Sequence, residues 1–126
     1  MNSNKPYLIR AIYQWIIDNN QTPYVLIDCS FPGVIIPEQF IKNKTVVLNI
    51  SPAACSNFVS NNNLIKFSAS FSGKVFNISF APEAIMAIYS HECGEGMRFE
   101  VDHKNYHSTN ILSTSSRRSN LRLIEK

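Results

Sequence analysis

Cysteine, glycine and charge are all scarce in this chain, and each scarcity excludes a class of protein. Three widely spaced cysteines are too few for a disulfide framework and fit a reducing compartment. The four glycines form no phosphate-cradling loop. No apolar run approaches the ~18 residues that a membrane span needs. The 126 residues, 44% hydrophobic and 17% charged, therefore predict one globular domain.

The N-terminal segment does not have the pattern of a secretory signal. A basic residue precedes apolar ones, but the apolar residues are not continuous and no small-residue cleavage site follows. The sequence therefore predicts a cytoplasmic protein with no membrane partner.

The net charge of +3 is confined to the last ten residues. Residues 1–116 contain as many acidic as basic side chains, eight of each. Residues 117–126 contain four basic side chains and one acidic, Glu125. The body is thus neutral, and it has no excess of basic residues of the kind that a nucleic-acid-binding domain needs.

Side chains capable of covalent or metal chemistry are present but are poorly grouped. His91 and Cys93 are close in sequence, and His103 and His107 have a spacing of four, yet zinc usually takes four ligands in two close pairs. No cysteine has a base beside it that would activate a nucleophile. The sequence therefore predicts no metal, no cofactor and no enzymatic activity.

Residues 5–19 predict a helix, with Asn4 as its candidate cap and Pro6 in its first turn. Its apolar arc is unusually wide, leaving a narrow polar strip, which indicates two apolar neighbours. The second neighbour is either more of the same domain or the same helix of a second subunit. The apolar positions are Leu8, Ile9, Ala11, Ile12, Tyr13, Trp15, Ile16 and Ile17.

The rest of the body predicts strands. A Ser72-Gly73 turn joins two alternating segments into a hairpin, and Pro82–Ser90 has the pattern of a short helix. The fold class is therefore α+β and mostly β. An N-terminal helix precedes a compact barrel-like two-sheet domain with one short helix, and a flexible C-terminal tail follows. The predicted strands are Tyr24–Cys29, Thr45–Ile50, Leu64–Phe71, Lys74–Phe80 and a short last one within Met97–Val101.

One strand face carries a small residue between two aromatic ones. Phe67, Ala69 and Phe71 alternate in "KFSASFSG", so they share a face and leave a shallow slot at the alanine. An extended peptide could occupy such a slot. The other interpretation is that this face is ordinary core.

Taken together, several segments resemble the stringent starvation protein B family, SspB. They are "KPYLIRAIYQWIIDNNQTPYVLID", "PGVIIPEQF", "VVLNISPAA", "FSASFSG", "PEAIMAIYSHECGEGMRFE" and the terminal "NLRLIEK". The likeness runs in order from Lys5 to Phe99 and resumes at the tail. The resemblance implies a homodimeric adaptor of the ClpXP protease that holds the ssrA tag of polypeptides from stalled ribosomes in a groove.

The resemblance also implies roles for individual residues. Ile9, Tyr13 and Ile17 are expected at the dimer interface. The groove that binds the tag is expected between the hairpin face and a second wall. Its expected residues are Phe67, Ala69, Phe71 and Met97.

The end of the chain is expected to dock on the N-terminal domain of the ClpX unfoldase. The docking residues that the resemblance implies are Leu121, Arg122, Leu123, Ile124 and Lys126. The domain boundaries are then 1–104 for the dimerising, tag-binding domain, 105–116 for a flexible linker and 117–126 for the docking tail. Known members carry a longer, acid-rich linker, whereas this one is uncharged and spans roughly 20 Å as a coil.

Three functional classes compete at this point. The first is the protease adaptor, with ClpX, ssrA-tagged polypeptides and a second copy as partners, and with ribosomes as a further partner. The second is a general peptide- or RNA-associated module, which is supported by the basic tail alone and would lose RNA affinity steeply with salt. The third is an enzyme, for which no side chain can be named.

Overall fold

The computed structural model describes residues 3–101 of the chain. One α-helix, α1 (Lys5–Asp18), precedes seven β-strands, and two short 3-10 turns (Glu38–Phe40 and Pro82–Ala84) interrupt the strand sequence. The predicted linker, 105–116, and the predicted tail, 117–126, lie outside the described residues. The strands are β1 (Pro23–Asp28), β2 (Thr45–Asn49), β3 (Cys55–Ser60), β4 (Ile65–Phe71), β5 (Lys74–Phe80), β6 (Ile85–Ser90) and β7 (Gly96–Arg98).

The strands form two antiparallel sheets. The larger has the order β2-β1-β6-β7, and the smaller has the order β3-β4-β5. An isolated bridge between Ile35 and Ser79 joins the loop after β1 to the edge of the smaller sheet. This loop therefore lies along β5 and links the two sheets.

Both sheets and the helix share one hydrophobic core. Phe80 and Ile78 enter it from the smaller sheet and Ile27 and Ile88 from the larger. Ile9 and Ile16, one face of α1, are each 2% exposed within the same cluster. This architecture confirms the predicted fold class, α+β and mostly β with an N-terminal helix and two sheets.

The predicted short helix at Pro82–Ser90 is wrong. Only Pro82–Ala84 form a 3-10 turn, and the chain then continues as β6, between β1 and β7. Polar residues do not alternate with apolar ones in this segment because β6 is covered on both faces. Its buried residues are Ile85, Ala87, Ile88 and Ser90. A continuously apolar central strand and a buried helical turn look alike in sequence.

The start of α1 differs in one detail from the prediction. Pro6 lies in the first turn as expected, but the side chain of Asn4 makes no capping hydrogen bond. The hydroxyl oxygen of Ser3 instead accepts from the backbone nitrogen of Lys5, at 3.1 Å. The helix ends where Asn20 adopts a left-handed conformation, φ 58°, which turns the chain toward β1.

Candidate functional site

Three phenylalanine rings form an aromatic cluster at the end of the β4–β5 hairpin. The ring centroids of Phe40 and Phe71 are 4.5 Å apart, and those of Phe40 and Phe76 are 5.5 Å apart. Phe71 and Phe76 come from the two hairpin strands, while Phe40 reaches them from the 3-10 turn Glu38–Phe40. All three are only half-buried. Each ring of this aromatic cluster therefore keeps part of its surface exposed to solvent.

Ala69 lies at the inner edge of the aromatic cluster. It pairs directly with Phe76 across the hairpin and is 6% exposed. Its methyl side chain leaves more space beside Phe76 than any larger residue would. Ala69 thus lies on the face that the aromatic cluster shares with the core, and the slot expected there stays a prediction.

The predicted groove residues are divided between the core and the surface. Phe67 is 3% exposed and packs edge-on against Phe80 in the core, but it also lines an open pocket with Ile35, so its place in a groove stays a prediction. Phe71 belongs to the aromatic cluster. Met97 is half-buried on β7 opposite Ile88, and therefore lies on the other sheet.

Strand β7 is held close to β6 by a glycine. A Cβ atom on Gly96 would overlap the carbonyl oxygen of Ile88 and the backbone of Tyr89. A side chain at this position would thus push β7 off the sheet. Gly96 consequently fixes the position of Met97, and within residues 3–101 no strand pairs with the other edge of β7.

The outward face of α1 carries two exposed aromatic side chains beside the polar Gln14 and Asp18. Tyr7 and Trp15 are 50% and 45% exposed, and Ala11 lies between them at the same helical spacing. Large exposed aromatic side chains on one helix face are typical of a protein interface. We call Tyr7, Ala11 and Trp15 the outer face of α1.

This outer face differs from the interface predicted from sequence. Ile9 is buried in the chain's own core, so it cannot face a partner. Tyr13 stacks on Phe58 with ring centroids 5.4 Å apart, and Ile17 is half-buried. Tyr13 therefore lies on the flank of the helix toward its own domain. A second neighbour for α1 stays a prediction, and the exposed side of the helix lies opposite the side that Ile9 occupies.

A carboxylate fastens the β6–β7 turn to the start of β1. The Glu92 oxygens accept from the backbone nitrogen of Thr22 at 2.8 Å and from its hydroxyl at 2.7 Å. These two bonds lower the pKa of Glu92 below its ordinary value. They also hold in place the turn that leads into β7.

The three cysteines differ in exposure. Cys29 and Cys55 are half-buried, whereas Cys93 is exposed. Burial raises the pKa of the Cys55 thiol to about 11 and raises that of Cys29 as well. Neither is therefore in the thiolate form that a nucleophile requires. Within residues 3–101, no group of three potential metal ligands comes together.

Sequence reasoning did not find Phe40 and Phe76 as parts of the site. Phe76 could have been found, since a two-residue turn at Ser72-Gly73 fixes the register and places it across from Ala69. Phe40 could not, because its contact depends on a loop. The predicted docking residues Leu121, Arg122, Leu123, Ile124 and Lys126 lie outside the described residues. Along the described chain, no helix is long and apolar enough to cross a membrane.

These features define a small, mostly β domain with a half-exposed aromatic cluster and a helix face that carries two exposed aromatic side chains. The sequence model of the family described as stringent starvation protein B matches residues 3–121. A protein of Haemophilus influenzae described as a stringent starvation protein B homolog is 39% identical over 98 residues, 78% of this chain. The aligned part is 65% of the length of that relative, just under two thirds. The chain belongs to the stringent starvation protein B family.

Proposed function

We propose that this protein is an adaptor that binds ssrA-tagged polypeptides and tethers them to the ClpX unfoldase, so that ClpXP degrades them faster. Family membership supports the adaptor role. The structural observation that supports the peptide-binding part is the half-exposed aromatic cluster of Phe40, Phe71 and Phe76, next to Ala69. The adaptor performs no covalent chemistry and uses no cofactor or metal.

The tag binds as an extended peptide. Half-exposed aromatic rings supply apolar contact area at low conformational cost. The slot at Ala69 selects a side chain that fits against Phe76, and Phe71 forms the wall beside it. Met97, on β7, provides the second wall, with main-chain hydrogen bonds available along the free edge of that strand.

The active form is a homodimer built through the outer face of α1. Two copies of Tyr7, Ala11 and Trp15 related by a two-fold axis would cover each other's exposed rings. Each dimer then carries two tag sites and two tails. The second contact with ClpX becomes intramolecular once the first has formed, which raises avidity without new contacts.

The tail docks on the N-terminal domain of ClpX through Leu121, Arg122, Leu123, Ile124 and Lys126. Two leucines and an isoleucine with flanking positive charge make a short, reversible contact. The adaptor works in the cytoplasm, where ribosomes release tagged chains, and an association with ribosomes would place it at their source. The uncharged linker of 105–116 limits the reach between the tag site and ClpX.

Fluorescence anisotropy with a labelled ssrA peptide tests the binding step. The wild-type chain should bind the peptide, and Phe76→Ala should weaken binding by roughly tenfold or more, since one buried aromatic contact is lost. Val75→Ala is the matched control: Val75 is the neighbouring residue, is 71% exposed and points away from the cluster. Equal affinity of all three proteins would refute the assignment of the cluster as the tag site.

A further inference from the structure

A cavity of about 250 Å³ lies between the C-terminal end of α1 and the turn that joins β6 to β7. Trp15 and Ile16 supply its apolar wall, and Trp15 is 45% exposed. Across from them, Cys93 and Glu95 line the cavity from the turn, and both are exposed. The cavity shares no lining residue with the aromatic cluster, so it is a separate surface of the domain.

Hydrogen bonds hold the turn side of the cavity in place. Oε1 of Gln21 accepts from the hydroxyl of Ser90 at 2.6 Å and from Sγ of Cys93 at 3.3 Å. The hydroxyl oxygen of Ser90 in turn accepts from the backbone nitrogen of Cys93 at 3.2 Å. An occupant therefore meets a surface that is already ordered, which lowers the entropic cost of docking.

The surface around the cavity is acidic. In residues 15–22 and 90–96 the charged side chains are Asp18, Glu92 and Glu95, counting histidine as neutral, and neither segment contains lysine or arginine. Within residues 3–101 nothing donates to the carboxylate of Glu95. The C-terminal end of α1 adds negative partial charge. An exposed carboxylate beside an indole ring favours a guanidinium group, which can pair with the first and stack on the second.

The last segment of the chain has the complementary chemistry. Leu121, Leu123 and Ile124 are apolar, and Arg122 lies among them. Residues 117–126 also carry the whole net charge of +3, while the rest of the chain is neutral. The segment thus combines apolar side chains for the wall of the cavity with a guanidinium for its rim.

The length of chain before this segment matches the distance to the cavity. β7 leads away from the turn, so Val101 lies roughly 20 Å from Glu95 at ~3.3 Å per residue. A random coil of the length of residues 102–120 spans roughly 22–26 Å. The effective concentration of a tethered segment is highest when its span matches the separation, so even a weak contact is populated.

We propose that the segment Leu121–Ile124 docks in this cavity on its own domain. Leu121 and Leu123 pack against Trp15 and Ile16, and the guanidinium of Arg122 lies at the rim beside Glu95. Pockets for drug-sized ligands measure roughly 300–1,000 Å³, so a cavity of about 250 Å³ suits a few side chains of an extended segment.

Docking would make the domain compete with any other protein that binds the tail. The competition with ClpX rests on the proposed function, whereas the docking itself does not. Tyr7 and Ala11 of the outer face of α1 do not line the cavity, so they stay available for a second copy when the tail is docked.

NMR of the ¹⁵N-labelled full chain, without ClpX, tests the docking. Trp15 is the single tryptophan, so its indole resonance is unambiguous. The double variant Leu121→Ser, Leu123→Ser should shift this resonance and the amides of Cys93 and Glu95, because the tail leaves the cavity. Leu112→Ser, the same change outside the docking segment, should leave them in place. Unchanged resonances in the double variant would overturn the proposal.

Charge and concentration separate this occupant from others. Glu95→Gln should lower the ratio of docked to free tail, read from the indole position, roughly two- to fivefold. Glu38→Gln, the same charge change at an exposed site outside the cavity, should leave the ratio unchanged. Raising NaCl from about 50 to about 500 mM should act like Glu95→Gln. An indole shift that fades on dilution would assign the cavity to a second copy and overturn the proposal. Degradation by ClpXP is a separate measurement and does not depend on these outcomes.

Discussion

Phe76 lies directly across the β4–β5 hairpin from Ala69, and this pair defines the inner end of the aromatic cluster. Because the two residues are cross-strand partners, the space beside the Phe76 ring depends on the size of the side chain at position 69. Ala69 is 6% exposed, while Phe76 is half-buried. The pair therefore joins the core of the domain to its open surface.

Replacing Ala69 by Gln should fill this space and weaken tag binding. The longer polar side chain competes with the peptide for the position beside Phe76. Some loss of stability, roughly 1–3 kcal/mol, is expected because the site is nearly buried. Anisotropy with labelled ssrA peptide measures the first effect and urea unfolding the second. Ser70→Gln, an exposed position on the opposite face of β4, is the control and should change neither.

A charge on the outer face of α1 should separate the proposed dimer into monomers. Trp15 is 45% exposed, so Trp15→Glu removes apolar contact with a partner and leaves the core intact. Sedimentation velocity should show a monomer for Trp15→Glu. A cooperative thermal unfolding transition of the same variant should show that its domain is still folded. A dimer that persists in this variant would exclude the outer face as the interface.

The same experiment at Tyr13 should give a different result. Tyr13 stacks on Phe58 within its own domain, so Tyr13→Glu breaks an intramolecular contact. We expect its main effect to be a loss of folding stability, of the order of 2–4 kcal/mol, measured by urea unfolding. If Tyr13→Glu instead yields a fully stable monomer, the interface predicted from sequence would be right and the outer face wrong.

Gly96 should tolerate no side chain. Gly96→Ala places a methyl group against the carbonyl oxygen of Ile88, so β7 must move away from β6 and take Met97 with it. Tag affinity should fall, and hydrogen exchange should accelerate at the β6–β7 amides. The neighbouring exposed change Glu95→Ala should leave exchange unaltered. Normal protection of β7 in Gly96→Ala would show that the strand has more room than the structure indicates.

Lys5 should make stability depend on pH in the alkaline range. Its Nζ donates to the carbonyl oxygen of Glu83 at 3.0 Å and lies 5.1 Å from the ring centroid of Phe99. Desolvation lowers its pKa from 10.5 to about 8, against the opposing effect of the Glu83 charge. Between these two pH values the unfolded chain binds more protons than the folded one, so Lys5 contributes a rise in stability with pH.

Lys5→Met should remove this contribution. Urea unfolding of both proteins at pH 8 and pH 10.5 measures the difference. Tyr13 and Cys55 have raised pKa values and lower the stability over the same range, but they do so in both proteins and cancel in the comparison. An identical pH dependence of the two proteins would contradict the burial of the Lys5 amino group.

The elements that the sequence predicts well are those whose local pattern matches their surroundings. The β4–β5 hairpin follows from strict alternation and the Ser72-Gly73 turn, where both residues have positive φ. The sequence does not predict strand β3, because most residues of Cys55–Ser60 are polar. A bulge also interrupts its alternation, with Asn57 at φ 56°. Strand β6 was mistaken for a helix because only its place between β1 and β7 makes it a strand.

The site could be predicted in part for the same reason. Alternation placed Ala69 and Phe71 on one face, but whether that face is core or groove depends on what covers it. Only the fold shows that Phe67 is covered by Phe80 and that Phe71 is left beside Phe40. Apolar residues cover most of the circumference of α1, so periodicity alone does not show which side of the helix packs against its own domain.

The most direct test of the adaptor proposal is the degradation of an ssrA-tagged reporter by ClpXP, with the reporter well below its half-saturating concentration. Three conditions are compared: no addition, the full chain, and residues 1–116. We predict that the full chain accelerates degradation and that residues 1–116 fail to do so, or slow it by sequestering the tag. No acceleration by the full chain, or equal acceleration by residues 1–116, would contradict the tethering mechanism.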